Sequence, residues 1–243
     1  MLSNTNSDTN LSINELLERF SKGSIRQRKS LVASVEARAT ELVEVGPELL
    51  LSFDPNGDDW APGWILQVLK RHHSDFLLTL LPEKDSGWFR TESSRGIDYG
   101  SLQENFLCEN FEEADRFTSA VLRQLAGPEA EQRGYVYFSE VPSMSGKDLV
   151  TLDRLWTVYS QGKYGFSKQA SLLGALDGRY DLLWPRIGWK KEGVWTRYPS
   201  SFDWTLNAPE GHMPLVNQLR GVRLIDALLN HPALVVRREG SSK

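Results

Sequence analysis

The chain has 243 residues, 40% apolar and 25% charged, with 28 Lys and Arg against 32 Asp and Glu for a net charge of −4. That is the make-up of an ordinary globule, and its acidic balance counts against nucleic-acid binding, which calls for a basic excess. No apolar run approaches the ~20 residues needed to span a bilayer, and Cys108, the one cysteine, has no internal partner, which favours a reducing compartment.

Length favours two modest domains over one large one. Residues 1–10 are rich in Ser, Asn and Thr and are predicted to be disordered. The opening stretch lacks the basic and apolar regions of a secretory signal, and its first arginine, Arg19, comes after Asp8, Glu15 and Glu18. It therefore reads as neither signal nor transit peptide, and a cytoplasmic location is expected.

Residues 11–82 are predicted to form an N-terminal helical bundle. Ser12 and Glu15 make a capping box ahead of Leu16, Leu17 and Phe20. Ile25, Leu31, Val32, Val35, Ala39, Leu42 and Val43 keep helical spacing up to a stop at Gly46-Pro47. GWILQVLKRH and SDFLLTLLP read as two further short helices. Residues 83–96, polar and broken by Gly and Ser, read as a linker, with Trp88 and Phe89 tacking it to a surface.

A core domain is predicted over 97–235. It opens with two helices that break near Glu109-Asn110 and end at Gly127-Pro128. Cys108 falls on this amphipathic stretch and reads as a small buried apolar residue. YVYFSEV reads as an extended or helical-turn connector. DLVTLDRLWTVYSQG puts Leu149, Leu152, Leu155, Trp156 and Tyr159 on one helix face. SKQASLLGAL is a helix capped by Ser167, and YDLLWPRIGW a short one broken at Pro185. A last amphipathic helix runs from about Leu215 to Leu229, ended by His231-Pro232, and a polar tail covers 236–243. The fold class is all-α.

Residue chemistry excludes several functions. There is no glycine loop followed by Lys-Ser/Thr for phosphate binding. The histidines lack metal-ligand spacing, and no nucleophile elbow or set-apart carboxylate pair is present. KYGFS resembles part of an RNA-binding signature but lacks its flanks. No catalytic residue, metal ligand or required cofactor is expected, and the chain reads as no enzyme.

One region is unusual. Trp184, Trp189, Trp195 and Trp204 fall within 21 residues, joined by Tyr198 and Phe202, on a segment punctuated by Gly and Pro. Such rings either anchor a loop to the core, the reading preferred for Trp184 and Trp189, or pave a concave face for a flat apolar ligand. Arg220 and Arg223 follow. Three apart on a helix, they share a face and can take carboxylates in bidentate forks, or stand as a solvated pair.

The stretches GIDYGSLQ, FEEADRFT, LAGPEAEQRGYVYFSEV, DLVTLDRLW, YSQGKYGFS, LWPRIGWK and VWTRYPSSFDWTLNAPEGHMPLVNQLRGVR, in that order over Ile97 to Pro232, resemble the "genomes uncoupled" tetrapyrrole-binding family of cyanobacteria and chloroplasts. The resemblance implies an N-terminal bundle before a helical core shaped like a cupped hand. It implies binding of protoporphyrin IX and Mg-protoporphyrin IX and stimulation of magnesium chelatase through its large, porphyrin-binding subunit, without chemistry of its own. Arg220 and Arg223 would pair with the propionates, helped by Asn217. Trp195, Tyr198, Phe202 and Trp204 would line or gate the face, and Leu215 would add apolar wall. Tyr198 stands where some relatives are expected to carry tryptophan. Axial coordination of magnesium is assigned to water. A monomer is expected, and peripheral contact with the thylakoid membrane is compatible with the family. The rival reading is a helical scaffold that grips a peptide or partner helix.

Overall fold

Ser12 and Ser24 start the first two helices by the same device. Each serine Oγ accepts the backbone N–H three residues on, and the residue there, Glu15 or Gln27, reaches back to the serine N–H at 2.9 Å. Two otherwise unpaired helix-end donors are satisfied reciprocally. The structure, a computed structural model, describes residues 11–81, 87–216 and 222–240. Among the described residues are thirteen α-helices, one 3-10 helix and one hairpin of two short strands, and the fold is mostly helical as expected.

The N-terminal part holds α1 (Ile13–Lys22), α2 (Ile25–Glu36), α3 (Ala39–Leu51), α4 (Ala61–His72) and α5 (Ser74–Leu80). The one helix expected from Ile25 to Val43 is in fact two. The chain breaks at Ala37-Arg38, where the Arg38 guanidinium pairs with Glu41 and donates to the Leu11 carbonyl at 2.7 Å. Gly46-Pro47 does not end the helix but sits inside α3. A proline removes one intrahelical bond and crowds the carbonyl four residues back, yet α3 runs on for another turn and buries Leu50 in the core.

Helix α4 is sheathed on all sides, every residue from Ala61 to Leu69 being buried. A Cβ on Gly63 would lie 2.3 Å from the Val158 carbonyl oxygen, so α4 crosses the segment ending at Val158 at backbone contact. Gln67, fully buried, donates Nε2 to the carbonyls of Phe106 at 2.9 Å and Tyr159 at 3.0 Å, near the ends of two core helices. Within the stretch expected as a linker, Phe89 is buried, exchanges backbone bonds with the Gln103 side chain at 3.1 and 2.8 Å, and packs edge-on against Tyr159. Residues 1–10 and 82–86 lie outside the described residues.

The rest comprises α6 (Gly100–Leu107), α7 (Phe111–Ala126), α8 (Pro128–Arg133), a 3-10 helix (Phe138–Ser143), α9 (Gly146–Val158), α10 (Phe166–Gly174), α11 (Tyr180–Arg186), the hairpin β1 (Lys190–Lys191) and β2 (Val194–Trp195), α12 (Val222–Leu229) and α13 (Pro232–Gly240). Leu149, Leu152, Leu155 and Trp156 of α9, with Tyr159 just after it, are wholly buried, as their spacing predicts. Trp156 donates Nε1 to Thr118 Oγ1 at 3.0 Å and touches the rings of Phe106, Phe111 and Tyr164. The aromatic residues of KYGFS, Tyr164 and Phe166, belong to this core.

Five expectations are corrected. Ser167 does not cap α10. Asp153 of α9 does, accepting the Ser167 N–H at 2.8 Å and its hydroxyl at 2.6 Å, because a buried carboxylate needs donors and a helix start offers them. Cys108 is exposed, since it falls at the C-cap of α6 and turns off the apolar stripe. Leu215 and Val216 are not helical; α12 begins at Val222, and residues 217–221 lie outside the described ones. His231-Pro232 does not stop the chain's helices but starts α13, proline being suited to a first helical turn. Residues 236–240 of the expected tail are part of that helix, and Arg237 on it pairs with buried Asp153 at 2.7 Å and with Asp58 at 2.8 Å.

Candidate functional site: an apolar cup

Asp115, Ser119, Leu122 and Arg123 are spaced four, seven and eight residues from the first of them, so they share one face of α7. That face lines a cavity of about 630 Å³. The turn Gly134–Val136 after α8, Met144 at the end of the 3-10 helix, and Leu224 and Leu228 one helical turn apart on α12 extend the wall. The chain after β2 completes it with Trp195, Thr196, Arg197 and Tyr198, then with Leu215 and Val216. The lining is mainly aliphatic and aromatic with a few polar groups, the usual character of a small-molecule site, and the volume lies in the range such sites occupy. A second hollow of the same size, near Arg90 and Val150, is crossed by the ion pairs Lys147–Glu92 and Arg237–Asp58, which suit no apolar guest.

The loop wall has no helical ladder to hold it. Buried side chains donate to its carbonyls instead. Trp189 Nε1 bonds the His212 carbonyl at 2.8 Å, and Gln169 Nε2 bonds those of Gly211 at 3.0 Å and Pro214 at 2.8 Å. Tyr164 and the half-buried Lys163 do the same at Thr205 and Leu206. Trp184 stacks on Trp189 at 5.5 Å with planes 5° apart, and the two support the hairpin as preferred from the sequence. Glu192 and Gly193 make the hairpin turn with φ of 49° and 80°, conformations that favour glycine. Trp195, half-buried beyond that turn, has the Lys190 ammonium 4.5 Å over its ring.

The eight candidate residues separate accordingly. Trp195, Tyr198 and Leu215 come together on the cup wall. Phe202 and Trp204 do not line it. Phe202 is buried against His212, Tyr198 and Trp204, while Trp204 donates Nε1 to the Pro199 carbonyl at 3.1 Å, so both brace the loop that carries Tyr198. Arg223 is exposed on α12 beside the lining residue Leu224, with its guanidinium 5.4 Å from the Phe138 ring centre. Asn217 and Arg220 lie outside the described residues.

The whole α7 face escaped the sequence reading, as did Arg197, Tyr135 and Met144. One signal was there: Asp115 is a carboxylate on the buried stripe of Phe111, Ala114, Thr118 and Val121. Its Oδ1 accepts the Leu215 N–H at 2.6 Å, and its Oδ2 is buried without a hydrogen-bond partner among the described residues. Burial holds this carboxyl up at about 7, against the opposing pull of the Leu215 N–H. Burial likewise raises the Tyr198 phenol, with the Asp115 charge adding to it. His212 is pushed down by burial; its Nδ1 lies 2.6 Å from the Ile187 carbonyl and so carries the proton. Among the described residues no three His, Cys, Asp or Glu converge as metal ligands, and no helix is long and apolar enough to cross a membrane.

Fold and cavity together define a class: a helical protein whose broad apolar cup is walled on one side by a helix and on another by an anchored aromatic loop. Residues 92–232 match the GUN4-like family, and the chain belongs to that family. It is 44% identical over 173 residues to the Ycf53-like protein of Synechocystis sp., covering 71% of this chain and 74% of that one. It is 34% identical over 151 residues to the chloroplastic tetrapyrrole-binding protein of Arabidopsis thaliana, covering 58% of this chain and 57% of that one. The structure of GUN4 from Chlamydomonas reinhardtii superposes with a TM-score of 0.57 at 37% identity, over 60% of this chain and 93% of that one.

Proposed function

We propose that this chain binds protoporphyrin IX and Mg-protoporphyrin IX in the cup and stimulates magnesium chelatase without catalysing a reaction itself. The observation that carries the reading is the composition of the cavity. Trp195 and Tyr198 stand among aliphatic walls, with Arg123 and Arg197 on the lining and Arg223 beside Leu224. A porphyrin is flat and apolar with two carboxylate tails on one edge. It matches aromatic and aliphatic walls over its faces and guanidinium groups at its acid edge. Arg220 and Arg223 remain the proposed propionate partners, with Asn217 as a polar helper. Phe202 and Trp204 act by bracing Tyr198. The name of the Arabidopsis relative supports a tetrapyrrole as the ligand class.

In this reading the protein partner is the porphyrin-binding large subunit of the chelatase. The chain works as a cytoplasmic monomer that meets the thylakoid surface at most peripherally. The test has two stages. Each porphyrin is titrated against tryptophan emission, and micromolar or tighter quenching is expected, weakened by Arg220→Ala with Arg223→Ala. Purified chelatase is then assayed with and without the chain. Absence of quenching removes the ligand assignment, and quenching without stimulation removes the chelatase role alone.

A further inference from the structure

Asp115 is a feature of the cup that neither the apolar faces nor the acid tails of the ligand account for. The carboxyl sits in the α7 wall and is 1% exposed. The Leu215 N–H fixes Oδ1 and hence the orientation of the whole group, while Oδ2 is buried with no hydrogen-bond partner among the described residues. Buried polar atoms are seldom left unpaired, and one that is invites a ligand donor. The charged and titratable groups around it are Glu112 and Arg116 on α7, which act through space, Tyr198 on the loop after β2, and Arg123 and Arg197 on the lining. None of them bonds Oδ2.

The two porphyrins differ in the donor they offer. In the metal-free ring the N–H groups lie in the plane and point at its centre, away from the protein. Magnesium is a hard cation that keeps water among its ligands, and a metal-bound water is a stronger hydrogen-bond donor than a free one. We propose that Asp115 selects the magnesium form over the metal-free ring, with Oδ2 accepting a hydrogen bond from the axial water on the metal. This rests on the porphyrin reading above and adds a specificity-determining residue to it. The carboxylate is the acceptor, so preference for the magnesium form follows deprotonation of this group.

The test titrates the full chain with protoporphyrin IX and magnesium protoporphyrin IX by tryptophan quenching at about pH 6 and about pH 8. The readout is the ratio of the two dissociation constants, in which titration of the propionates, common to both ligands, cancels. The ratio is expected to move toward the magnesium form by about tenfold between the two conditions. In Asp115→Asn, which keeps the acceptor for Leu215 but can offer a donor in place of Oδ2, the ratio should lose its pH dependence. It should also fall about tenfold at the higher pH, the worth of one charge-assisted bond, while metal-free affinity stays within about threefold. A flat ratio in the unaltered chain overturns the proposal, as does an Asn variant that weakens both ligands alike. Should that variant not fold, the pH series on the unaltered chain decides. Binding of neither porphyrin by the unaltered chain is a separate result, which sinks the porphyrin reading and this proposal with it.

Discussion

The α7 wall and the loop wall of the cup are built by opposite means. On α7 the backbone satisfies itself, and Asp115, Ser119, Leu122 and Arg123 reach the cavity because helical geometry puts them there. On the loop wall, carbonyls between Thr205 and Pro214 take their partners from the side chains of Trp189, Gln169, Tyr164 and Lys163, all on other segments. A wall of the first kind tolerates exchange of its lining residues. A wall of the second kind depends on side chains that never touch the ligand. The aromatic density around the hairpin thus has two causes: Trp184 and Trp189 hold the loop up, and Trp195 lines the cup.

The sharpest way to break this contrast is Trp189→Ala. Removing a fully buried indole and its bond to His212 should cost about 3–5 kcal/mol, read as a fall in the denaturant midpoint, with porphyrin affinity lost as the loop collapses. Asp115 spans both walls, and its raised pKa gives a pH signature. The folded chain holds this proton more tightly than the unfolded one, so stability should fall from about pH 4 upward. The fall ends near the folded value of about 7, above which the curve is flat. Asp115→Asn should abolish that slope and raise stability by up to about 4 kcal/mol at about pH 8.

Gln169→Leu strips donors from two buried carbonyls and should cost about 2–3 kcal/mol while keeping side-chain volume. Arg223→Ala, on an exposed residue, should leave thermal stability unchanged and weaken porphyrin binding about tenfold, or 1.4 kcal/mol. Ser119→Trp, on the half-exposed α7 face, should also disturb folding little. It should fill the cup and block quenching with a shift below about 1 kcal/mol in stability, which a lining residue on a self-sufficient helix permits.

Much of the helical framework was legible in the sequence because burial there follows a 3.6-residue rhythm. Leu149 through Tyr159 and the break at Glu109-Asn110 are the clear instances. The errors came where a distant partner decides. No local pattern announces that Asp153 will cap α10 across a helix contact, or that Arg237 will draw residues 236–240 into α13 by pairing with Asp58 and Asp153. In the cup, Trp195, Tyr198 and Leu215 could be found as aromatic and apolar excess in a broken segment. Phe202 and Trp204 carry the same excess, and composition cannot separate a ring that lines a cavity from one that braces it. The α7 face was missed because Leu122 looks like core and Arg123 like surface; only Asp115, a carboxylate in an apolar stripe, departs from its setting.

Asp153 ends up as a junction. One of its oxygens accepts from Ser167 at the head of α10, the other from Ser167 and from Arg237, whose remaining nitrogens grip Asp58 before α4. Gln169, two residues along α10, in turn clamps Gly211 and Pro214 just ahead of the cup residue Leu215. Clipping the chain after residue 231 would therefore unmoor far more than a terminal helix: it would strand a negative charge in the interior and slacken the tether on which the far rim of the cup is hung.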